Sequence, residues 1–314
     1  MRAPRLLFAT PALAATLLLL ASLAGAAPNP PAMRPAAEPD MAYGAYQRGL
    51  YRTAFLAATA RLNADRGDAP AMTLIGELYN QGLGVRQDPV EAARWYQLAA
   101  RAGDAHAMAS LGLMSIDGRG VPKDPAAGRD WLERAAANGE PTAAYNLALI
   151  LLSAGSGADM QRAADLLKIA ADAEIGDAQH ALGVLHARGQ GVPKSAESAV
   201  KLFARAARNG SISGEVEYAI AAFNGEGVPR SEVAAARAFR RAAARGNAIA
   251  QNRLARLYVT GRGVPRNLTE AAAWHLMASG QGLPDAWLDG QLRDLPGQDR
   301  ARAEQLATER ASNF

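Results

Sequence analysis

The sequence contains no cysteine among its 314 residues, and this absence removes several classes of site at once. Disulfide bonds, thiolate metal ligands, a cysteine nucleophile and lipid attachment at a cysteine are all excluded. The absence does not define a cellular compartment by itself, because proteins without cysteine occur in both reducing and oxidising environments.

Aromatic residues are also scarce, at 6% of the chain, whereas alanine is abundant and 30 glycines are spread along it. This composition is typical of many short helices that pack closely with few large side chains. The formal net charge is +4, and removal of Arg2 and Arg5 with a leader leaves 32 basic against 30 acidic side chains. Because nucleic-acid-binding proteins concentrate basic residues on one face, this near balance does not indicate a nucleic-acid partner.

The N-terminal segment has the three parts of a secretory signal peptide. Arg2 and Arg5 precede an apolar run over 6–20, and residues 24–26 (Ala-Gly-Ala) offer a cleavage site. We therefore predict a signal peptide at 1–26, export to the periplasm, and a chain that is not embedded in the membrane after cleavage. An uncleaved anchor is the alternative, because no charged residue follows Arg5 until Arg34, although a spanning helix needs about 20 apolar residues.

A period of 36 residues runs through most of the chain. Glycines mark it in two series, at 67, 103 and 139 and again at 210, 246 and 282. The two series are one residue out of step because the third repeat has a shorter loop, and Glu174 takes the glycine position at the start of the fourth. Such self-similarity predicts a repeat protein in which each unit packs on its neighbours.

Each repeat has the pattern of helix, loop and helix. In the first helix, Ala71, Ile75 and Tyr79 are four residues apart and share one face. A small residue follows the large central one, as Gly76 does here, and this indicates a close helix crossing. The loop carries Gly-x-Gly-Val, whose glycines permit positive φ where the first helix ends. Residues able to cap the second helix come next: Asp88, Asp124, Asp159, Ser195, Ser231 and Asn267.

These motifs resemble Sel1-like repeats, which are related to tetratricopeptide repeats, and the resemblance covers about residues 42–285. The first repeat shows them as Ile75-Gly76-Glu77-Leu78-Tyr79, Gly82-Leu83-Gly84-Val85, Ala92-Ala93-Arg94-Trp95 and Ala99-Ala100-Arg101-Ala102-Gly103. The resemblance implies a superhelical scaffold that binds proteins, frequently in bacterial envelopes and signalling pathways. The expected fold class is all-α: a right-handed α-solenoid of about six 36-residue helix-loop-helix repeats with capping units at both ends.

The expected domain organisation follows from this pattern. Residues 27–40 contain five prolines and are expected to form an extended linker. A partial repeat is expected at 41–66, six repeats at 67–282 and capping helices at 283–314. Polar terminal units of this kind keep repeat arrays soluble.

A narrower resemblance involves the start of the repeat region. Segment 45–51 (Ala-Tyr-Gln-Arg-Gly-Leu-Tyr) and segment 68–72 (Asp-Ala-Pro-Ala-Met) are similar to ExoR-type periplasmic regulators. That resemblance implies binding to the sensor domain of a membrane histidine kinase and regulation of exopolysaccharide and motility. The chain departs from the pattern in its shortened third repeat and its longer C-terminal tail.

Positions opposite the core stripe of the first helices are polar in the outer repeats and apolar in the middle ones. In repeat 1 these positions hold Thr73, Glu77 and Asn80. In repeat 6 they hold the polar Asn252 and Arg256 together with the apolar Val259. An apolar strip on the inner curve of a solenoid would suit a groove for a partner helix or strand; burial between neighbouring first helices is the alternative. The candidate protein-binding strip consists of Leu113, Ile116, Tyr145, Leu149, Leu152, Val184, Ile220 and Phe223.

Basic residues recur shortly before the second helices. A cation near the start of a helix is mildly unfavourable with the helix dipole, so an anionic partner surface is one interpretation and solvated loop charge is the other. The candidate basic edge consists of Lys123, Lys194, Arg230 and Arg266.

No catalytic or cofactor-binding motif is visible in the sequence. The Gly-x-Gly loops lack the preceding strand and the Gly-Lys-Ser/Thr of a phosphate-binding loop, and segment 155–157 is not the Gly-x-Ser-x-Gly turn of a hydrolase. His180 and His186 are six residues apart on one predicted helix, about 240° around it, and do not converge on a metal.

We therefore predict a non-catalytic scaffold without metal, cofactor or nucleic-acid ligand. Its partner is expected to be a membrane receptor, the periplasmic domain of a sensor kinase or an envelope assembly component. The alternatives are an assembly factor for polysaccharide or secretion machinery and a hydrolase that acts on envelope polymers.

Overall fold

The computed structural model describes residues 40–155 and 157–312, which form helices joined by short loops, with no strand in those ranges. The predicted signal peptide and nearly all of the predicted linker lie outside the described residues. In chain order the helices are α1 (Met41–Gln47), α2 (Tyr51–Ala64), α3 (Ala69–Gln81), α4 (Pro89–Arg101), α5 (Ala105–Asp117), α6 (Pro125–Ala137), α7 (Pro141–Ala154), α8 (Gly157–Asp172), α9 (Gly176–Arg188), α10 (Ala196–Arg208), α11 (Ile212–Asn224), α12 (Glu232–Ala244), α13 (Ala248–Thr260), α14 (Leu268–Gly280), α15 (Ala286–Leu292) and α16 (Gly297–Ala311).

The helices from α3 to α14 form six pairs, each made of a first and a second helix. Every helix from α1 to α13 packs on the next one in the chain. First helices of successive repeats also touch, as α5 touches α7 and α9 touches α11. This arrangement confirms the predicted α-solenoid and places the first helices side by side. Among the described helices, none has both the length and the apolar character needed to cross a membrane.

In every repeat except the third, the loop between the two helices is bounded by a cap at each end. At its start in repeat 1, Gly82 has a φ of 71° and its N–H donates to the Leu78 carbonyl, a left-handed conformation that glycine adopts readily. At its end, the Asp88 carboxylate accepts hydrogen bonds from two N–H groups in the first turn of α4. Each side-chain cap contributes about 1 kcal/mol, so the loop sequence fixes where both helices end and begin.

Side-chain caps form at five of the six predicted second-helix positions, and the third repeat is the exception. There α7 is closed by Gly155 and α8 already begins at Gly157. The prediction that Asp159 caps this helix is wrong, because the missing loop residues move the helix start upstream of it. Asp159 lies in the first turn of α8, where a negative charge is favourable with the helix dipole.

The second glycine of the loop makes a contact between repeats. Gly120 has a φ of 71°, and a Cβ atom there would lie 2.0 Å from the carbonyl oxygen of Pro89, the first residue of α4. At Gly227 and Gly263 the same construction meets the corresponding carbonyl oxygens at 2.2 and 2.1 Å. In these three repeats, the loop backbone therefore packs directly on the first turn of the second helix one repeat earlier.

The predicted close helix crossing inside a repeat is confirmed. A Cβ atom at Gly76 would lie 2.9 Å from the ring of Tyr96, which is fully buried. At Gly183 it would lie 2.6 Å from the ring of Phe203. In both repeats, an aromatic ring of the second helix rests on the backbone of the first, and this contact leaves no room for a larger residue.

The array is closed at its C-terminal end by α16, which packs on α14. Arg310 Nη2 lies 2.8 Å and 2.9 Å from the two carboxylate oxygens of Glu270, and its guanidinium carbon is 4.3 Å from the centre of the Trp274 ring. The charged terminal segment therefore covers the last repeat with an ion pair and a cation–π contact.

Candidate protein-binding surface

The eight residues of the candidate strip lie on four successive first helices. They are distributed as Leu113 and Ile116 on α5, Tyr145, Leu149 and Leu152 on α7, Val184 on α9, and Ile220 and Phe223 on α11. Leu149 is 41% exposed and the other seven are half-buried. Six of the eight pack on one side against the buried core. The strip therefore belongs partly to the core and partly to the surface, and binding of a partner there stays a prediction.

Four strip residues line one cleft, called here the α7–α9 cleft. Tyr145, Leu149 and Leu152 come from α7 and Val184 from α9, and the cleft has a volume of about 610 Å³. Met160 of α8 adds a further apolar side chain to its wall. The structure thus gathers apolar groups from three helices at one open place.

Charged groups of both signs and a histidine line the same cleft. Asp177, His180 and Arg188 of α9 belong to its wall. Burial lowers the pKa of His180, an effect that Asp177 and Glu217 partly offset. Burial also raises the pKa of Tyr145, with a further contribution from Asp177. At neutral pH, His180 and Tyr145 are therefore uncharged groups that can form hydrogen bonds beside the apolar wall.

The first two strip residues line neither this cleft nor the one described next. Ile116 packs against α6, since a Cβ atom at Gly128 would lie 2.6 Å from its Cγ1 atom. Leu113 is half-buried at the edge of the same core cluster. In repeat 2, the strip therefore contributes mainly to packing between helices.

Ile220 and Phe223 line a second cleft, called here the α11–α13 cleft, with a volume of about 340 Å³. Its floor is apolar, because Phe239 and Leu257 are only 3% and 5% exposed. Trp287 of α15 forms another part of its wall. The C-terminal capping segment thus completes a cleft that begins on the repeats.

Arg256 is fixed in the wall of the α11–α13 cleft by two neighbours. Its Nε and Nη2 atoms donate to the Asp285 carboxylate at 2.7 and 2.9 Å, and its guanidinium carbon lies 4.9 Å from the centre of the Trp287 ring. Burial acts to raise the pKa of Asp285, but hydrogen bonds from Arg256 and Asn252 lower it to about 2. The pair is therefore fully charged at neutral pH.

Arg262 also lines this cleft, and an ion pair and an aromatic ring hold it in place. Its Nη2 atom is 2.6 Å from Glu232 Oε1, and its guanidinium carbon lies 4.1 Å above the centre of the Phe223 ring. A guanidinium on an aromatic face adds a cation–π attraction to the ion pair. Phe223 thus carries a cation on one side.

The residues of the basic edge fold back over the glycine that ends the preceding first helix. A Cβ atom at Gly118, for example, would lie 2.9 Å from the Cβ atom of Lys123. Arg266 Nε donates to the Val259 carbonyl at 3.1 Å, close to the end of α13. The four residues concerned are Lys123, Lys194, Arg230 and Arg266, and all are exposed.

A cation at the C-terminus of a helix is favourable with the helix dipole and satisfies its last carbonyls. Arg266 interacts in this way with the preceding first helix, whereas Arg230 Nη2 lies 2.8 Å from the Oε1 atom of Glu232, the first residue of the following second helix. In repeat 1, Gln87 occupies the position and its Nε2 atom donates to the Asn80 carbonyl at 2.8 Å. An anionic partner at the basic edge stays a prediction.

Comparison with known families places this architecture. The model of the Sel1 repeat matches six segments, at residues 69–104, 105–140, 141–174, 176–211, 214–247 and 248–283. The chain belongs to the Sel1 repeat family. Each matched segment contains one pair of helices, from α3 and α4 to α13 and α14.

Solved structures support the same assignment. A Sel1 repeat protein from Oxalobacter formigenes is similar over 76% of this chain and 98% of its own, with 29% sequence identity and a TM-score of 0.67. The protective antigen c5321 of uropathogenic Escherichia coli shares the fold over 87% of this chain and 68% of its own, with 23% identity and a TM-score of 0.53. No curated protein matches the chain. Sel1 repeats typically form scaffolds for interactions between proteins, and the family is generally not catalytic.

One side-chain cluster of this Sel1 repeat protein contains the residue types of a hydrolase triad. His275 Nε2 lies 2.7 Å from Asp289 Oδ1, and His275 Nδ1 lies 3.4 Å from Ser279 Oγ. In a triad the carboxylate bonds Nδ1 and the nucleophile bonds Nε2, so the order here is reversed. Asp289 is also 65% exposed. The cluster instead ties α15 to α14. Among the described residues, no group of three or more His, Cys, Asp and Glu could hold a metal ion.

The sequence pattern does not identify the arginines of the α11–α13 cleft. It places Arg256 at a polar end of the strip, whereas the structure places it in a cleft wall. The partners that fix it, Asp285 and Trp287, lie beyond the last Sel1 repeat, where no periodic signal relates them to α13. An acidic and an aromatic residue separated by one alanine after the array are the only hint available from the sequence.

Proposed function

We propose that this protein is an exported scaffold of the periplasm that binds another protein through its first helices. The basic residues Arg2 and Arg5, the apolar run over 6–20 and the Ala-Gly-Ala at 24–26 support export. The proposed partner is the periplasmic domain of a membrane receptor or sensor kinase. The similarity of segments 45–51 and 68–72 to ExoR-type regulators supports this partner class.

The α7–α9 cleft is the observation that carries the proposal. It presents Leu149, Leu152, Val184 and the ring of Tyr145, none of which is fully buried. Full burial of such a side chain contributes about 1.5–3 kcal/mol, so covering the exposed part contributes about 1 kcal/mol each. A few anchors of this size favour reversible binding, as a regulator requires.

Photo-crosslinking in living cells tests this proposal. A photoreactive residue replaces Leu149, and a matched control replaces Ala301, an exposed residue of α16. We expect an adduct with one membrane receptor from position 149 and none from position 301. An adduct with a polysaccharide or secretion component would favour the assembly-factor alternative, and no adduct from a folded protein at position 149 would contradict binding at this cleft.

A pair of substitutions on α7 separates binding from folding. Leu149→Glu places a charge at a site that is 41% exposed, whereas Leu151→Glu places one at a fully buried site. We expect Leu149→Glu to abolish adducts from a photoreactive residue at position 145 with little change in the unfolding midpoint. Leu151→Glu should unfold the repeat, because an unpaired buried charge costs several kcal/mol or more.

The mature N-terminus, measured by mass spectrometry, tests cleavage after Ala26.

A further inference from the structure

The α11–α13 cleft differs from the α7–α9 cleft in its charge. Arg253, Arg256 and Arg262 line it, and none of its lining residues is acidic. Arg256 and Arg262 are each paired with a carboxylate. Arg253 is exposed and has no hydrogen bond or ion pair in the described part of the chain. The cleft therefore carries one positive charge that is not compensated locally.

The shape and the floor of the cleft define what fits beside this charge. Its volume of about 340 Å³ is at the low end of the range of ligand sites, about 300–1,000 Å³. Phe239 and Leu257 form an apolar floor, and Phe223 and Trp287 are aromatic walls. The two aromatic walls are already fixed by Arg262 and Arg256, so binding requires little ordering of side chains.

We infer that the α11–α13 cleft binds an acidic segment of the partner protein, with an apolar or aromatic side chain on the Phe239 floor and a neighbouring carboxylate at Arg253. This inference rests on the proposed function, because it specifies which kind of partner segment one cleft of the scaffold would bind. Charge complementarity carries it. The α7–α9 cleft, with Asp177 and Arg188 in one wall, lacks such a preference for one sign of charge.

Defined peptides and the purified full chain test this inference. One fluorescein-labelled peptide has Phe between two Asp residues with Gly and Ser flanks, and a second has Asn in place of both Asp residues. Binding is measured by fluorescence anisotropy with the wild-type protein and with Arg253→Gln. Arg237→Gln is the matched control, because Arg237 of α12 is also exposed and unpaired in the described residues but lies outside the cleft.

We expect the Asp peptide to bind about fivefold more tightly than the Asn peptide, the ratio expected for one ion pair at a partly exposed site. Arg253→Gln should remove this preference, Arg237→Gln should keep it, and added salt should weaken it. Equal binding of the two peptides, a preference that survives Arg253→Gln, or no binding of the Asp peptide would overturn the inference. An adduct from position 149 in the crosslinking experiment, together with any of these results, would leave the proposed scaffold function standing and reject this subsite alone.

Discussion

Replacement of Gly120 by alanine should destabilise the protein much more than replacement of Gly103. Both glycines have positive φ, 71° and 96°, so alanine at either position costs about 1–2 kcal/mol in backbone strain. Only Gly120 also lies against another repeat. The difference between the two variants therefore isolates the contact between repeats from the conformational preference of glycine.

The size of the second effect follows from the distances. A Cβ atom at Gly120 would lie 2.0 Å from the carbonyl oxygen of Pro89 and 2.4 Å from its carbonyl carbon, whereas at Gly103 it would meet nothing within 4 Å. Close carbon–oxygen contacts in proteins are about 3.3–3.6 Å, so the two backbones must separate by about 1 Å. Overpacking of this kind costs about 1–3 kcal/mol. We expect losses of about 2–5 kcal/mol for Gly120→Ala and about 1–2 kcal/mol for Gly103→Ala.

Guanidinium unfolding followed by far-UV circular dichroism measures the difference. Midpoints are compared directly, since a long repeat array does not always unfold as two states. Gly227→Ala should behave like Gly120→Ala, because a Cβ atom at Gly227 would lie 2.2 Å from the carbonyl oxygen of Ala196. Equal midpoints for Gly120→Ala and Gly103→Ala would refute the argument that the second loop glycine serves contact between repeats.

Two further predictions concern pH. Burial lowers the pKa of His180 below its ordinary value of 6.5, so the unfolded chain binds more protons and the free energy of unfolding decreases as the pH falls through 6.5; His180→Gln should remove this part of the pH dependence in urea titrations. Hydrogen bonds from Asn209, Arg205 and Gln179 lower the pKa of Glu174 from 4.5 to about 2, so stability that is present above 4.5 is lost as the pH falls towards 2. In Glu174→Gln, the unfolding midpoint should decrease less over that acid range than in the wild-type protein. If the pH dependence of the midpoint is the same in both proteins, these hydrogen bonds do not form in solution.

The fold could be predicted from the sequence because the same local structural signals recur in several repeats. A cap residue, a small residue at the helix crossing and a pair of loop glycines recur at one spacing, so a chance match at one position is corrected by the others. The prediction fails where the repetition fails. The register predicts Asp159 as a helix cap, but the loop of repeat 3 is shorter and α8 already begins at Gly157, so Asp159 lies inside the helix.

The role of the second loop glycine could not be predicted in full. The sequence explains Gly120 by its positive φ, and that explanation is correct for the backbone. The clash with Pro89 depends on how two repeats stack, and no pattern within one repeat contains that information. Glu174 is the converse case: it holds a φ of 62° where other repeats have glycine, and its side chain gains partners that glycine lacks.

The candidate strip shows the same limit at the level of function. Its register correctly identifies side chains on the first helices, but burial depends on what neighbouring helices and the C-terminal segment place over them. Ile116 is used in packing against α6, Leu152 lines the α7–α9 cleft, and Phe223 lies beneath a guanidinium from the loop of the next repeat. Equal positions in the repeat thus have unequal surroundings.

The separation of the strip into two clefts has a consequence for recognition. In a solenoid each repeat contacts mainly its neighbours, so a change at Arg253 in repeat 6 should leave the α7–α9 cleft in repeats 3 and 4 undisturbed. Effects of distant, independent sites on binding free energy add. A partner that occupies both clefts must therefore lose affinity additively when Leu149 and Arg253 are replaced together, whereas a partner that occupies one cleft responds to one substitution alone. For a partner that occupies both clefts, specificity would reside in the spacing between an apolar cleft of mixed charge and a cationic one, a property of the array that no single repeat possesses.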